Sequence, residues 1–240
     1  MRHLRSLALF FFVVALPVAL VTSNVRFAAN EGRLYEYGFD KYHVEAQVGL
    51  PREDISRAGQ ELRRYFNSDQ DTIHLLVEEG GQEVSYFNAR ETAHLRDVKS
   101  VFQLTFAVQE LSVVYLFTYV VAVFVWARES SLRRLATQVL AGSLVAIAAI
   151  LALGAVALLG FDRAFEQFHF IAFTNDLWLL DPRTDHLIQM FPEGFWFDAS
   201  MLVGLLTLAE AAFLALCSGL YLGLTRRRLS VVLKASQQHA

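Results

Sequence analysis

Two histidines lie where the chain is most strongly patterned for chemistry. His94 follows Glu91 by three residues and precedes Asp97 by three, and His169 lies in a phenylalanine-rich stretch that leads to Asn175. An imidazole with an ordinary pKa exchanges protons at physiological pH, so it can act as a general base or a general acid. We therefore predict that His94 and His169 are the catalytic residues.

Carboxylates, an amide and an indole flank these histidines and form the predicted supporting set. Residues three and four apart on a helix are neighbours, so Glu91 or Asp97 could orient the His94 ring by accepting its second N–H. Asn175 and the Trp178 indole offer neutral N–H donors of the kind that stabilise an oxyanion. The same residue types also occur in solvated helix faces and turns. The remaining members of the predicted set are Asp176, Asp181 and Asp185.

Two further acids lie inside long apolar segments. Glu110 and Glu210 are each about ten residues from one end of a predicted span, near mid-membrane by the helical rise of about 1.5 Å per residue. A carboxylate in lipid is costly and usually faces a partner or a cavity. Their similar depths predict a contact between them, with a structural role, a shared proton or a bound lipid amine as the alternatives.

The composition is that of a polytopic membrane protein. Hydrophobic residues make up 55% of the 240 residues, and the mean hydropathy is +0.36. A membrane-spanning helix needs about 20 mainly apolar residues, and four stretches qualify: 4–25, 101–127, 135–161 and 199–224. The first also has the pattern of a cleavable signal peptide, but its retention gives a consistent topology. We predict an α-helical integral membrane protein with four transmembrane helices.

Lysine and arginine orient these spans, because cytoplasmic loops carry an excess of both. The residues on one side are Arg2, Arg5, Arg128, Arg133, Arg134, Arg226, Arg227, Arg228 and Lys234. This pattern predicts a multi-pass protein of the cytoplasmic membrane with both termini, the loop 128–134 and the tail 225–240 in the cytoplasm. Segments 26–100 and 162–198 would then face the extracytoplasmic side, where the predicted site lies.

Segment 26–100 is predicted to be a small α/β insert between the first two spans. Pro51 and the acids after it favour a helix start, and residues 72–77 and 83–87 predict a β-hairpin around a glycine turn. Asn88 and Glu91 have the spacing of a capping box, so the second span should begin before the membrane as one continuous helix. Segment 162–198 is predicted to be a shorter outer loop between the third and fourth spans.

Several classes of function are disfavoured. The net charge is −3 and no basic stripe with interleaved aromatic residues occurs, so nucleic-acid binding is not expected. Cys217 is the lone cysteine and lies in the fourth span, which excludes an internal disulfide or a cysteine zinc cluster.

Several motifs together resemble those of one known family. They are Phe87-Asn-x-Arg-Glu-x-x-His-Leu-x-Asp-Val98, Phe168-His169, Asn175-Asp-x-Trp178, Asp181-Pro-x-x-Asp185, Leu187-Ile188 and Phe191-Pro-Glu-x-Phe-Trp196. With the span order, they are similar to a family of four-span bacterial integral membrane proteins that includes the lipoprotein intramolecular transacylases. The resemblance covers nearly the whole chain.

The resemblance implies a reaction at the outer leaflet. The family enzyme moves the sn-2 acyl chain of a diacylglyceryl lipoprotein to the α-amino group of the same N-terminal cysteine and leaves a lyso-form lipoprotein. On this reading one of His94 and His169 deprotonates the amine and the other protonates the leaving glyceryl oxygen, with Asn175 or Trp178 at the oxyanion. The partners would be the lipoprotein substrate, its acyl chains and the membrane, and the resemblance implies no nucleotide or redox cofactor.

Three other functions remain open from the residues alone. His94, His169 and nearby aspartates could serve a metal-dependent membrane hydrolase, although no helix has two histidines at the spacing of metal ligands. Glu110 and Glu210 could be the working groups of a membrane transporter or sensor, although the chain shows no internal repeat or broken helix. A structural or assembly protein is the third alternative.

Overall fold

The computed structural model describes the backbone of residues 2–79, 81–126 and 130–238 and the side chains of residues 7–77, 81–125 and 132–226. Within these ranges the chain forms eight α-helices and one two-stranded sheet. The elements are α1 (Arg2–Asn30), α2 (Gly32–Lys41), α3 (Val44–Val48), α4 (Arg52–Phe66), β1 (Leu76–Glu79), β2 (Gln82–Ser85), α5 (Ala89–Trp126), α6 (Ser130–Ala172), α7 (His186–Met190) and α8 (Glu193–Gln238).

Four helices, α1, α5, α6 and α8, are long and apolar enough to cross a membrane. Large apolar side chains on them are exposed in the isolated chain, among them Leu111, Phe117 and Leu159. Such surfaces are stable when lipid rather than water surrounds them. The helices extend beyond the predicted spans because a helix can continue outside the hydrocarbon. The expectation that no helix is broken is wrong, because the backbone inside α6 departs from helical geometry at Gly160 (φ 174°, ψ 79°).

The chain divides into two compact units. The first, called the bundle unit, comprises residues 1–23, 108–153 and 204–240. Here α1 and α6 pack so closely that a Cβ on Gly142 would lie 2.9 Å from Leu16 Cδ2. Small residues allow such close contact between membrane helices. The Tyr115 hydroxyl also donates to the Ala8 carbonyl at 2.9 Å, which joins α5 to α1.

Several arginines and the lysine used to predict the orientation have side chains outside the described part of the chain. They are Arg2, Arg5, Arg128, Arg227, Arg228 and Lys234.

The second unit, called the insert unit, comprises residues 24–107 and 154–203 and contains the predicted site. Its core is rich in aromatic side chains. The apolar stripe of α4 is buried, with Ile55, Leu62 and Tyr65 each at most 2% exposed. The helix begins after Pro51 and has acids in its first turn and arginines in its last, as the helix dipole favours.

The predicted hairpin is present, with shifted bounds. β1 pairs antiparallel with β2 from Leu76↔Ser85 to Glu79↔Gln82. The expectation that the first strand covers residues 72–77 is therefore wrong, because the turn is tight and pairing continues to Glu79. Gly81 has φ +82°, a conformation that glycine adopts without strain. Gly80 of the predicted turn lies outside the described residues.

The predicted fold class is confirmed: four helices of membrane-spanning length, a small α/β insert between the first two and a shorter connection between the last two. The sequence did not predict the short helices α2, α3 and α7. All three belong to the insert unit.

Candidate active site

The start of α5 is fixed by a reciprocal cap. The Asn88 backbone N–H donates to Glu91 Oε2 at 2.8 Å, and the Glu91 N–H donates to Asn88 Oδ1 at 3.0 Å. This is the predicted capping box, in which two unpaired N–H groups of a helix terminus are satisfied. His94 follows one turn later on the same uninterrupted helix. Its position is thus determined by local sequence.

Glu91 also ties α5 to the connection before α8. Its side chain is fully buried, and Oε1 accepts the Leu187 backbone N–H at 2.7 Å. Asp185, also buried, accepts Asn88 Nδ2 at 2.9 Å and the Asp181 N–H at 2.7 Å. These two carboxylates hold the segment that follows His169 against the first turn of α5.

The structure brings the two predicted catalytic histidines together. The His94 and His169 ring centroids are 6.2 Å apart, although the residues come from α5 and from the end of α6. His94 is 6% exposed, and its Nδ1 is buried with no hydrogen-bond partner in the described part of the chain. A buried polar atom without a partner is rare and often marks a functional site.

His169 has a defined tautomer. Its Nδ1 lies 2.7 Å from the Phe165 carbonyl oxygen. A carbonyl can only accept, so Nδ1 carries the hydrogen and the neutral ring has its lone pair on Nε2. His169 therefore presents Nε2 as a proton acceptor.

Aromatic rings enclose the pair. Phe173 approaches His94 edge-on with centroids 5.1 Å apart and lies 5.6 Å from His169. Trp178 lies 4.9 Å from His169 at 31°, and Phe165 lies 4.5 Å from it. Rings on these sides limit the access of water, which strengthens electrostatic interactions.

The predicted orientation of His94 by a carboxylate is wrong. Glu91 accepts backbone N–H groups, and Asp97 Oδ2 accepts Asn175 Nδ2 at 2.9 Å. The unpaired backbone N–H groups at the starts of α5 and α7 donate to the Glu91 oxygens, so they compete with the His94 imidazole for this carboxylate. Asn175 Oδ1 accepts the Leu177 N–H at 3.1 Å, so the amide is engaged at both ends.

The other predicted acids lie at the surface. Asp176 is exposed, and its carbonyl accepts a hydrogen bond from Arg90. Asp181 pairs with Arg183 at 2.7 Å, and hydrogen bonding to this guanidinium lowers the pKa of the Asp181 carboxyl to about 2. Neither carboxylate contacts a histidine in the described structure.

Sequence reasoning missed Phe173, which belongs to the site, and the packing of His186 on Tyr86 near the start of α5. Phe173 contacts both catalytic candidates. His186 Nδ1 lies 2.7 Å from the Tyr86 carbonyl oxygen, and its ring stacks on Tyr86 with centroids 4.4 Å apart. Burial raises the pKa of the Tyr86 hydroxyl. The position of His186 directly after Asp185 was the available signal.

Glu110 and Glu210 lie in the bundle unit, on α5 and α8, and both side chains are exposed in the isolated chain. Their mutual contact stays a prediction. In the described residues there is no group of three or more histidine, cysteine, aspartate or glutamate side chains placed to hold a metal ion.

Two clefts open in the insert unit. One of about 240 Å³ is lined by Asp97, Leu104, Phe173 and Asn175 among others. The other, of about 360 Å³, is lined by polar residues and two arginines at the end of α1 and along α4. Neither histidine lines either cleft, but Asp97 and Asn175 of the predicted site and Phe173, which contacts both histidines, line the smaller one.

Known proteins resemble this chain along most of its length. The family model described as lipoprotein intramolecular transacylase Lit matches residues 10–196. An uncharacterized protein of Aquifex aeolicus strain VF5 is 25% identical over 209 residues, which cover 86% of this chain and 89% of that protein.

Solved structures share the fold. The structure of the membrane integral lipoprotein intramolecular transacylase Lit from Bacillus cereus has a TM-score of 0.78 and 21% identity and covers 96% of this chain and 100% of its own. A form of that protein with a histidine replaced by alanine gives a TM-score of 0.74 and 20% identity, over 94% of this chain and 96% of its own.

Proposed function

This chain belongs to the lipoprotein intramolecular transacylase family and is an acyltransferase of the membrane, and from that premise we propose how it acts. Its substrate is a diacylglyceryl lipoprotein. The sn-2 acyl chain moves to the α-amino group of the same N-terminal cysteine, which leaves the lyso-form lipoprotein. The observation that carries this proposal is the pairing of His94 with His169 beside a cleft that opens on α5.

The α-ammonium nitrogen loses two protons in the reaction: one is released to water before the attack, and the other moves from the attacking nitrogen to the leaving glyceryl oxygen. The amine nitrogen attacks the sn-2 ester carbonyl, the N–C bond forms and the bond from the acyl carbon to the glyceryl oxygen breaks. An α-amino group has a pKa of about 7.7 to 8.0 and is mostly protonated at neutral pH, so it reacts only after losing a proton. Donor and acceptor belong to one substrate, which reduces the entropic cost of bringing them together.

The tautomer of His169 supports a role for it in the first step. Nε2 holds a free lone pair while Nδ1–H donates to the Phe165 carbonyl, so His169 removes the proton from the attacking nitrogen. His94 is the adjacent ring and has an unpartnered nitrogen. It passes the proton to the departing glyceryl oxygen, so that amide and alcohol are both neutral products.

The oxyanion is stabilised by Trp178. The Trp178 ring lies 4.9 Å from that of His169, and its indole N–H has no hydrogen-bond partner in the part of the chain that the structure describes. Asn175 already donates to Asp97, which leaves its second N–H as the weaker candidate. Preorganised donors of this kind act where negative charge develops.

The reaction takes place at the extracytoplasmic side of the cytoplasmic membrane. Arg133, Arg134 and Arg226 follow the positive-inside pattern at one end of the spans. His94 lies near the start of α5 and His169 near the end of α6. The short connection between these consecutive spans joins their other ends. The two ends that carry the histidines therefore lie on one side of the membrane, opposite the arginines. Both termini are then cytoplasmic.

Mass spectrometry of a reporter lipoprotein tests the reaction. The chain is co-expressed with the reporter in a strain that leaves lipoproteins diacylated, and the N-terminal lipopeptide is fragmented. We expect an isomer of unchanged mass with one acyl chain on the cysteine nitrogen. The His94→Ala and His169→Ala variants should leave the diacylglyceryl form.

The matched control is His74→Ala. His74 is an exposed histidine of the same unit and contacts only the Thr72 hydroxyl, at 3.2 Å, in the described structure. This variant should transfer acyl chains as the wild type does. An unaltered diacylglyceryl reporter in the presence of well-expressed wild-type protein would refute the proposal.

A further inference from the structure

The geometry points to Asp97 as the residue that binds the α-ammonium group of the substrate's N-terminal cysteine, so that the enzyme selects lipoproteins with a free N-terminus. This inference rests on the proposed function and adds the recognition of the acyl acceptor.

The cleft of about 240 Å³ has two chemically different parts. Asp97, Ser100 and Asn175 form a polar part, while Val101, Leu104 and Phe173 form an apolar part. Residues 97, 101 and 104 share one face of α5 because they are three and four positions apart. A molecule that joins a cationic head to an acyl chain matches this lining along the helix axis.

The Asp97 carboxylate can accept further hydrogen bonds from a cation. In the described structure no lysine or arginine nitrogen lies within 4.0 Å of it, and its hydrogen-bond partner is the neutral amide of Asn175. Lys99 instead donates to the Gln70 carbonyl and lies over the Tyr65 ring at 4.5 Å. A carboxylate has about four lone-pair sites, and an ammonium group brings three N–H donors.

The cleft is next to the histidine pair through Phe173 and Asp97, although neither histidine lines it. Asp97 is one helical turn from His94, and Phe173 both lines the cleft and packs edge-on against the His94 ring. His94 is buried, and its Nδ1 has no hydrogen-bond partner in the described part of the chain. An ammonium held at Asp97 is therefore placed beside the groups that take its proton.

This contact also separates substrate from product. The transfer converts a cationic amine into a neutral amide, and an amide offers Asp97 no positive charge. A charge-assisted hydrogen bond is stronger than a neutral one. The product consequently loses its attachment at Asp97 in the same step that forms it, and an N-acylated lipoprotein is excluded in the same way.

Binding of two synthetic lipopeptides tests the inference. Both carry a dialkylglyceryl cysteine with an ether at sn-2, which cannot be transferred; one has a free amine and the other an N-acetyl group. Affinities for the full chain in nanodiscs are measured by fluorescence. We expect the wild type to prefer the free amine about tenfold or more at pH 7, the range of one hydrogen bond to a charged group.

Three variants complete the test. Asp97→Asn should abolish the preference by weakening only the free-amine peptide, and Asp97→Glu should retain it. Glu166→Gln removes an exposed carboxylate of the same unit and should behave as the wild type. The wild-type preference should decline as the pH rises through about 8, where the amine loses its charge. The N-acetyl peptide reports on folding in every variant.

The inference fails if Asp97→Asn keeps the wild-type preference or if the wild type shows none. Transfer is measured separately with the sn-2 ester. A wild type that prefers the free amine but does not move the acyl chain would refute the proposed reaction and leave the ammonium site standing.

Discussion

The Glu91 carboxylate accepts the backbone N–H of Leu187 at 2.7 Å, although the two residues are 96 positions apart in the chain. The same side chain also caps the start of α5 through Asn88. One buried group thus holds two helix starts, at α5 and α7. His94 and the segment that carries Trp178 depend on it for their relative position.

Glu91→Ala should destabilise the protein by about 2 to 4 kcal/mol, because two backbone donors lose their acceptor and each buried unsatisfied group costs about 1 to 3 kcal/mol. Thermal unfolding in detergent measures this. Arg96→Ala, an exposed change on the same helix, should have little effect. Equal melting temperatures for Glu91→Ala and the wild type would contradict the assigned role.

Replacement of either catalytic histidine should lower the rate of transfer about 10²- to 10⁴-fold, the usual contribution of general acid–base catalysis. Because one proton passes through both rings, the His94→Ala/His169→Ala double variant should be no slower than the slower single variant. Single-turnover transfer to a lipopeptide measures all three. Multiplicative losses would show that the histidines act independently.

Trp178→Phe should retain the ring beside His169 and remove the indole N–H. We expect kcat to fall about 10²-fold, as for other single oxyanion donors, with little change in KM. Asn175→Ala should instead affect the position of Asp97, since its amide donates to that carboxylate. If Trp178→Phe has wild-type kcat, the oxyanion donor lies elsewhere.

Asp185→Asn should lower both stability and activity. Each carboxylate oxygen of Asp185 accepts a hydrogen bond, and in asparagine an NH2 group would replace one of these acceptors and face the donor. A loss of about 2 kcal/mol is expected. Asp181→Asn, four residues away, removes only an exposed ion pair with Arg183, so its melting temperature should equal that of the wild type. The difference between the two melting temperatures is the diagnostic quantity.

Gly38→Ala should destabilise the insert unit. A Cβ at this position would lie 2.5 Å from Phe195 Cδ2, so the buried ring must move, and overpacking typically costs about 1 to 3 kcal/mol. Gly154→Ala is the matched control, since no atom lies within 4 Å of its added Cβ. A stabilised or unchanged Gly38→Ala variant would show that α2 is not closely packed there.

Local patterns predicted local structure well. The capping pair of Asn88 and Glu91 and the buried stripe of α4 follow from the chemistry of neighbouring residues, and both are present. The helical membrane fold follows from four apolar segments. The pairing of His94 with His169 was expected only in the sense that both lie near the same predicted end of their spans.

Interactions between distant segments could not be predicted in detail. Helical spacing placed Glu91 and Asp97 near His94, but it gave no information on the Leu187 N–H or the Asn175 amide, which take these carboxylates instead. Phe173 belongs to an aromatic-rich stretch typical of a membrane interface, and only the tertiary structure shows that it contacts both histidines. Competition among hydrogen-bond donors is decided by the fold.

The departure of α6 from helical geometry at Gly160 has a consequence for the choice of membrane. A helix responds to a thicker or thinner bilayer mainly by changing its tilt. Gly160, His94 and His169 all belong to the insert unit, and a helix interrupted at one residue transmits a change of tilt less rigidly than a continuous helix. We therefore expect the distance between the two imidazoles, and with it the rate of transfer, to vary little among lipids of different chain length.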